Sequence, residues 1–108
     1  MAKPRQQATA AFDYVTYAGT TRDLTEWHSP TESKARGKIK TWLEKQADRE
    51  RRFSAENTAK ISSALVDFDS TIFNPLYPID VEIPLDSYTL RFRMEARPAT
   101  SGPKGGKR

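Results

Sequence analysis

The sequence predicts a small α+β protein in which two helices pack on one face of an antiparallel sheet, in the order β-α-α-β-β. Residues 79–96 alternate between apolar and polar side chains, a period of two that is typical of a sheet with one face on a core and one face in water. Residues 31–69 instead carry apolar side chains at helical spacing. Two helices that cover one face of a sheet bury both apolar surfaces together.

The first predicted strand covers Phe12–Tyr17, where aromatic and β-branched residues are followed by Gly19. A helix is expected to begin at Ser29-Pro30-Thr31-Glu32, with the serine as cap and the glutamate completing a capping box. Gly37 lies inside this helix at a cost of about 1 kcal/mol relative to alanine, and it allows the close approach of another backbone. The apolar stripe consists of Ala35, Ile39, Trp42, Leu43 and Ala47.

The second helix is expected to begin after a cap in Ser54–Asn57 and to run to about Asp69. A loop that contains Asn74-Pro75 and Tyr77-Pro78 then leads to a hairpin. Its strands are predicted over Ile79–Leu85 and Tyr88–Ala96. The first strand is expected to pair beside this hairpin, because independent stability requires at least three strands.

The chain has 108 residues, enough for one domain with one core. The folded domain is predicted over about residues 10–96. Residues 1–9 are expected to form a flexible, slightly basic arm. Residues 97–108 contain two prolines and three glycines and are expected to form a disordered basic tail.

Cysteine is absent and there is a single histidine. This excludes a disulfide framework, a thiolate zinc site and a multi-histidine metal cluster, and no cofactor is expected. No apolar run approaches the roughly 18 residues of a membrane span, and the N-terminus is polar. The sequence therefore predicts a cytoplasmic protein without membrane contact.

Positive charge is concentrated in two places. The net charge is +4, and residues 32–52 hold eight basic and four acidic side chains, whereas residues 97–108 hold four basic and no acidic ones. A clustered basic face is typical of a nucleic-acid footprint or of binding to an acidic protein. The candidate binding residues are Lys34, Arg36, Lys38, Lys40, Arg49 and Arg51.

The alternative is a solvated helix face on which Lys40 pairs with Glu44 and Arg52 with Asp48. Trp27 and Trp42 are interpreted as core residues rather than as platforms for bases.

The polar face of the hairpin carries a second candidate group. Arg91 and Arg93, with Tyr88 beside them, are suited to phosphate contacts, because arginine binds phosphate in a bidentate manner. The alternative, which the adjacent acidic strand favours, is cross-strand pairing with Asp80 and Glu82. The single His28 is interpreted as a partly exposed imidazole near the helix start, not as a catalytic group.

Three segments resemble the RelE/HigB-type toxins of toxin–antitoxin systems. Residues 19–27 resemble the turn and helix start after the family's first strand, residues 34–44 its basic helix, and residues 76–82 with 88–94 its central hairpin. The family usually continues into a further strand and a catalytic C-terminal segment, whereas this chain passes from Glu95 into a Pro/Gly tail.

The resemblance implies metal-independent cleavage of RNA. Arg91 and Arg93 would match the family's strand arginine and stabilise charge on the phosphate. A tyrosine, with Tyr88 as the candidate, or a lysine would move the proton. An antitoxin would cover the basic surface.

Two functional hypotheses follow. The first is a basic module that contacts nucleic acid, RNA rather than DNA, and that is related to these toxins. The second is a non-enzymatic assembly protein, such as a small component of a phage particle, that grips its neighbours or further copies of itself through its arms and a sheet edge. An inhibitor or adaptor of a host protein is a third. Because the residues contain no decisive enzyme motif, a role in binding is favoured over catalysis.

Overall fold

The computed structural model describes residues 12–98, in which two hairpins flank a pair of helices. The first hairpin consists of β1 (Phe12–Thr20) and β2 (Asp23–Ser29). The helices are α1 (Glu32–Glu50) and α2 (Ala55–Ser70), and the second hairpin consists of β3 (Ile79–Pro84) and β4 (Thr89–Pro98). The four strands form one antiparallel sheet in the order β2-β1-β4-β3.

The predicted class, a small antiparallel sheet with two helices, is confirmed, and the structure adds one strand to the predicted order. The resemblance to RelE/HigB-type toxins implied a turn and a helix start over residues 19–27, but β2 pairs with β1 from Ser29 opposite Tyr14 to Asp23 opposite Thr20. β2 lies at the sheet edge and exposes most of its side chains. It therefore lacks the regular apolar alternation that identifies a half-buried strand.

The extra strand changes the cap of the first helix. Ser29 ends β2 and pairs with Tyr14, so the expected serine cap is wrong. Thr31 is the cap instead, and its hydroxyl accepts a hydrogen bond from the Lys34 backbone N–H at 3.2 Å. The cap of the second helix lies in the predicted segment, where Ser54 accepts from the backbone N–H of Asn57 at 3.0 Å.

The core lies between the helices and one face of the sheet. β4 is a central strand and contributes Leu90, Phe92 and Met94, all almost fully buried. The predicted stripe of α1 faces them, with Trp42 only half-buried. The buried apolar residues of the two helices are Ala35, Ile39, Leu43, Ala47, Ile61 and Phe68.

β4 extends beyond the predicted domain end at residue 96. Arg97 pairs with Asp13 in the register, and Pro98 pairs with Phe12, so the first two residues of the predicted tail belong to the sheet. The rest of that tail and the predicted arm of residues 1–9 lie outside the described residues. Within residues 12–98, neither helix has the length and apolar character needed to cross a membrane.

Candidate nucleic-acid interface

The two arginines of β4 lie on the sheet face that the helices do not cover, and both are paired. Arg91 donates two hydrogen bonds to Asp80, at 2.9 and 2.6 Å. Arg93 donates to Asp80 at 3.0 Å and to Glu95 at 2.9 Å. The bond from Arg91 holds the pKa of Asp80 below its usual value, against the opposing effect of desolvation. The favoured alternative of cross-strand pairing therefore holds for Asp80, while Glu95 replaces Glu82 as the second carboxylate.

Tyr88 lies apart from these arginines. Its hydroxyl donates to the carboxylate of Glu50 at 2.6 Å and accepts a hydrogen bond from Arg49 at 3.2 Å. Glu50 is only 7% exposed and also accepts from Asn57 at 2.9 Å. Burial, with the hydrogen bond to Glu50, raises the pKa of Tyr88. Tyr88 therefore ties the β3–β4 turn to the end of α1 and shares no site with the two arginines.

Four of the six candidate cations of α1 are engaged within the domain, and Arg36 is engaged most. It donates to Glu32 at 2.9 Å, to the Phe68 carbonyl at 3.1 Å and to the Thr71 carbonyl. Its guanidinium also lies 5.3 Å from the centre of the Phe68 ring. Arg36 thus joins α1 to the end of α2 and is not available to a partner.

The intrahelical pairs expected for α1 do not form as predicted. Lys40 pairs with Asp69 of α2 at 2.8 Å rather than with Glu44. Asp48 pairs with Arg51, not with Arg52. Arg49, as described above, is bonded to Tyr88. Tertiary neighbours, and not only residues one turn away, decide which cations of this helix are occupied.

Lys34 and Lys38 are the two candidates whose exposed side chains form neither an ion pair nor a hydrogen bond among residues 12–98, whereas the exposed Arg49 donates to Tyr88. Lys45, which sequence analysis did not select, joins them. These three residues occupy one stripe of α1, because spacings of four and seven residues return to the same side of a helix. The stripe borders an open groove of about 650 Å³ between α1 and the edge strand β2. We call it the β2–α1 groove.

Aromatic and small residues complete the β2–α1 groove. The full lining is Trp27, His28, Ser29, Pro30, Lys34, Gly37, Lys38, Thr41, Trp42 and Lys45. Trp27 and Trp42 are both half-buried, and the ring of Trp42 meets Phe92 edge-on at 6.5 Å. The interpretation of the tryptophans as core residues is therefore incomplete, since each also borders this cationic groove. The spacing of the lysines is the sequence feature that could have indicated one side of this groove. The other side is β2, which sequence analysis did not predict.

His28 is held between two carboxylates at the edge of the groove. Its Nδ1 lies 2.7 Å from Asp13 and its Nε2 lies 2.6 Å from Glu26, and its side chain is 47% exposed. The imidazolium can donate to both at once, so these bonds, that to Asp13 first, raise the pKa of His28. His28 therefore forms a local charge cluster with Asp13 and Glu26, and these contacts hold its exposed imidazole in place.

We expect the His28 pKa to lie above 6.5 in the folded protein. Because the folded pKa is raised, the stabilisation is fully present below the unfolded pKa near 6.5 and is lost as the pH rises through the folded pKa. The chain has one histidine, so an NMR titration of its ring protons reports this value directly. Asp13→Asn should lower it. A pKa at or below 6.5 in the unaltered protein would contradict this assignment.

No protein family, curated protein or solved structure matches this chain. The function of the β2–α1 groove is therefore inferred from the chemistry of the residues that line it. Within residues 12–98, no group of three or more histidine, aspartate or glutamate side chains is placed to hold a metal ion. What the β2–α1 groove offers is three ammonium groups without carboxylate partners in that range, beside two indole rings.

Proposed function

We propose that this protein binds nucleic acid through the β2–α1 groove. The single observation that carries the proposal is the exposed lysine stripe of Lys34, Lys38 and Lys45, none of which is paired among residues 12–98. Unpaired ammonium groups on one face attract phosphates and release counterions when they bind them. Every other candidate cation of α1 is already bonded to a group of the protein.

Binding is proposed rather than cleavage. The catalysis implied by the toxin resemblance needs arginines free to stabilise phosphate charge, with a proton-transfer group beside them. Arg91 and Arg93 instead meet Asp80 and Glu95, and Tyr88 is bonded to Glu50. The resemblance to RelE/HigB-type toxins favours RNA as the bound nucleic acid, and DNA is the comparison in the binding experiment.

The test compares the salt dependence of nucleic-acid binding between the unaltered protein and the double variant Lys34→Gln/Lys38→Gln. Each phosphate contact contributes about 0.7 to the slope of log affinity against log salt for single strands and about 0.9 for duplexes. Loss of two contacts should therefore lower the slope by about 1.4 to 1.8 and weaken binding about tenfold or more at low salt. Fluorescence anisotropy with labelled RNA and DNA, measured across a salt series, gives both quantities.

The matched control is Arg51→Gln/Arg52→Gln, which removes the same net charge just after the C-terminal end of α1. Arg51 is paired with Asp48, and neither arginine lines the β2–α1 groove. This control should bind as the unaltered protein does. Equal losses in both double variants would show that net charge alone drives binding, and the proposed site would be wrong.

A second candidate is assembly with protein neighbours, which one observation favours. Ile72, Leu76 and Tyr77 expose large apolar side chains in the loop between α2 and β3, and such exposed apolar groups are typical of protein contacts. No binding of nucleic acid at low salt, together with concentration-dependent self-association in sedimentation, would replace the first proposal with this one. RNA cleavage on a gel that Arg91→Ala abolishes would instead restore the toxin activity.

A further inference from the structure

A glycine in the second turn of α1 has no structural explanation within the domain. Gly37 is exposed, and a Cβ built on it would meet no atom within 4 Å. Glycine in an exposed helix interior destabilises a protein by about 0.5–1 kcal/mol relative to alanine. Packing therefore does not require glycine here. Close approach of a ligand to the helix backbone is the other use of a missing side chain.

Gly37 lies beside the lysine stripe near its N-terminal end, and it lines the β2–α1 groove together with Lys34 and Lys38. Lys34 and Lys38 flank it on the same side of the helix, and Lys45 lies two turns further on. At a rise of 1.5 Å per residue, the stripe from Lys34 to Lys45 is about 16 Å long. A cationic stripe of that length, with open helix surface beside its first two lysines, suits an extended chain of phosphates better than one isolated anion.

The two tryptophans offer an apolar surface on which bases can stack, in addition to the phosphate contacts of the lysines. Trp27 and Trp42 border the same groove on its β2 and α1 sides. Stacking of a base on an aromatic side chain contributes about 1–3 kcal/mol and tolerates any sequence. In a duplex the base faces are already stacked on one another, so only a single strand can present a base to these rings.

We infer that the β2–α1 groove binds single-stranded nucleic acid, with the sugar–phosphate backbone crossing α1 at Gly37 and a base against Trp27 or Trp42. This inference rests on the proposed function and adds to it the class of substrate and the residue at which the strand crosses. It gives Gly37 a role in binding that opposes its effect on stability.

The decisive variant is Gly37→Ala. Its methyl group should raise the melting temperature, because alanine favours the helix, and should weaken binding of a single strand about tenfold by occupying the path of the backbone. The matched control is Ser62→Ala on the exposed side of α2, which also improves helix propensity but does not line the β2–α1 groove. It should bind as the unaltered protein does.

The probes are a uridine oligomer, a thymidine oligomer and a duplex, each about ten units long, within the size range of known single-strand sites. The chain has two tryptophans, so Trp27→Phe and Trp42→Phe each leave one indole as a reporter. We expect the oligomers to quench the fluorescence of at least one of them, and the duplex to bind about tenfold more weakly than the single strands.

The outcomes separate this inference from the proposed function. If lysine-dependent binding is found but the duplex binds as tightly and Gly37→Ala has no effect on affinity, the proposed function stands and the inference is wrong. If Gly37→Ala loses binding and also loses stability, the glycine is structural and the inference is again wrong. If no nucleic acid binds at low salt, the proposed function fails as well.

Discussion

Replacing Phe92 by alanine is expected to lower the free energy of unfolding by about 3–5 kcal/mol. Phe92 is fully buried in the central strand β4. Its ring meets Phe68 at 5.3 Å and Trp42 at 6.5 Å, both edge-on, so it joins the sheet to both helices. Because domains of this size are stable by about 5–15 kcal/mol, this loss is a large part of the total. Urea denaturation followed by circular dichroism measures it.

Phe53→Ala is the matched control, since Phe53 is 78% exposed and its loss should change stability by no more than about 0.5 kcal/mol. Phe92→Leu keeps most of the buried volume and should cost less than about 1.5 kcal/mol. It therefore provides a folded protein if Phe92→Ala does not fold. Equal stability of the two alanine variants would contradict the described core.

Replacing Gly19 by alanine is expected to cost about 1–3 kcal/mol. Gly19 has a φ of +158°, and a Cβ there would lie 2.1 Å from the carbonyl oxygen of Asp23. That oxygen belongs to the backbone, so β1 and β2 must shift apart to admit the methyl group. For a domain of this size each kcal/mol corresponds to a change in melting temperature of about 4–8 °C, and calorimetry resolves it.

The two described glycines give opposite predictions for the same substitution. Gly19→Ala should lower the melting temperature, whereas Gly37→Ala should raise it, because only the first glycine has a close backbone neighbour. A rise in both variants would mean that β2 lies further from β1 than described. Since β2 forms one wall of the β2–α1 groove, the proposed function also predicts weaker nucleic-acid binding in Gly19→Ala.

A buried polar cluster at the end of α1 uses part of the basic helix for contacts within the fold. Arg49 and Glu50 bond to Tyr88, and Asn57 bonds to Glu50. A buried carboxylate requires such partners, because an unpaired charge is costly in the interior. This end of α1 is therefore occupied by contacts within the fold, whereas Lys34, Lys38 and Lys45 in its first four turns form no ion pair among residues 12–98.

Local periodicity was sufficient to predict both helices and the β3–β4 hairpin. Alternation over residues 79–96 needs no knowledge of distant residues, because each strand residue already shows which face it presents. The stripe from Ala35 to Ala47 identifies the buried side of α1 in the same way. The Ser54 cap was also local, since it involves residues three positions apart.

Tertiary structure alone decided the position of β2 and the availability of charge. β2 is an edge strand of mixed polarity, so its pairing with β1 is the feature that identifies it. Arg36 and Lys40 are occupied by groups on α2, more than twenty residues away in the chain. A composition counts every cation equally, but a cation binds a partner only where the fold leaves it without a carboxylate or carbonyl. That depends on neighbours brought together by packing, which no local pattern encodes.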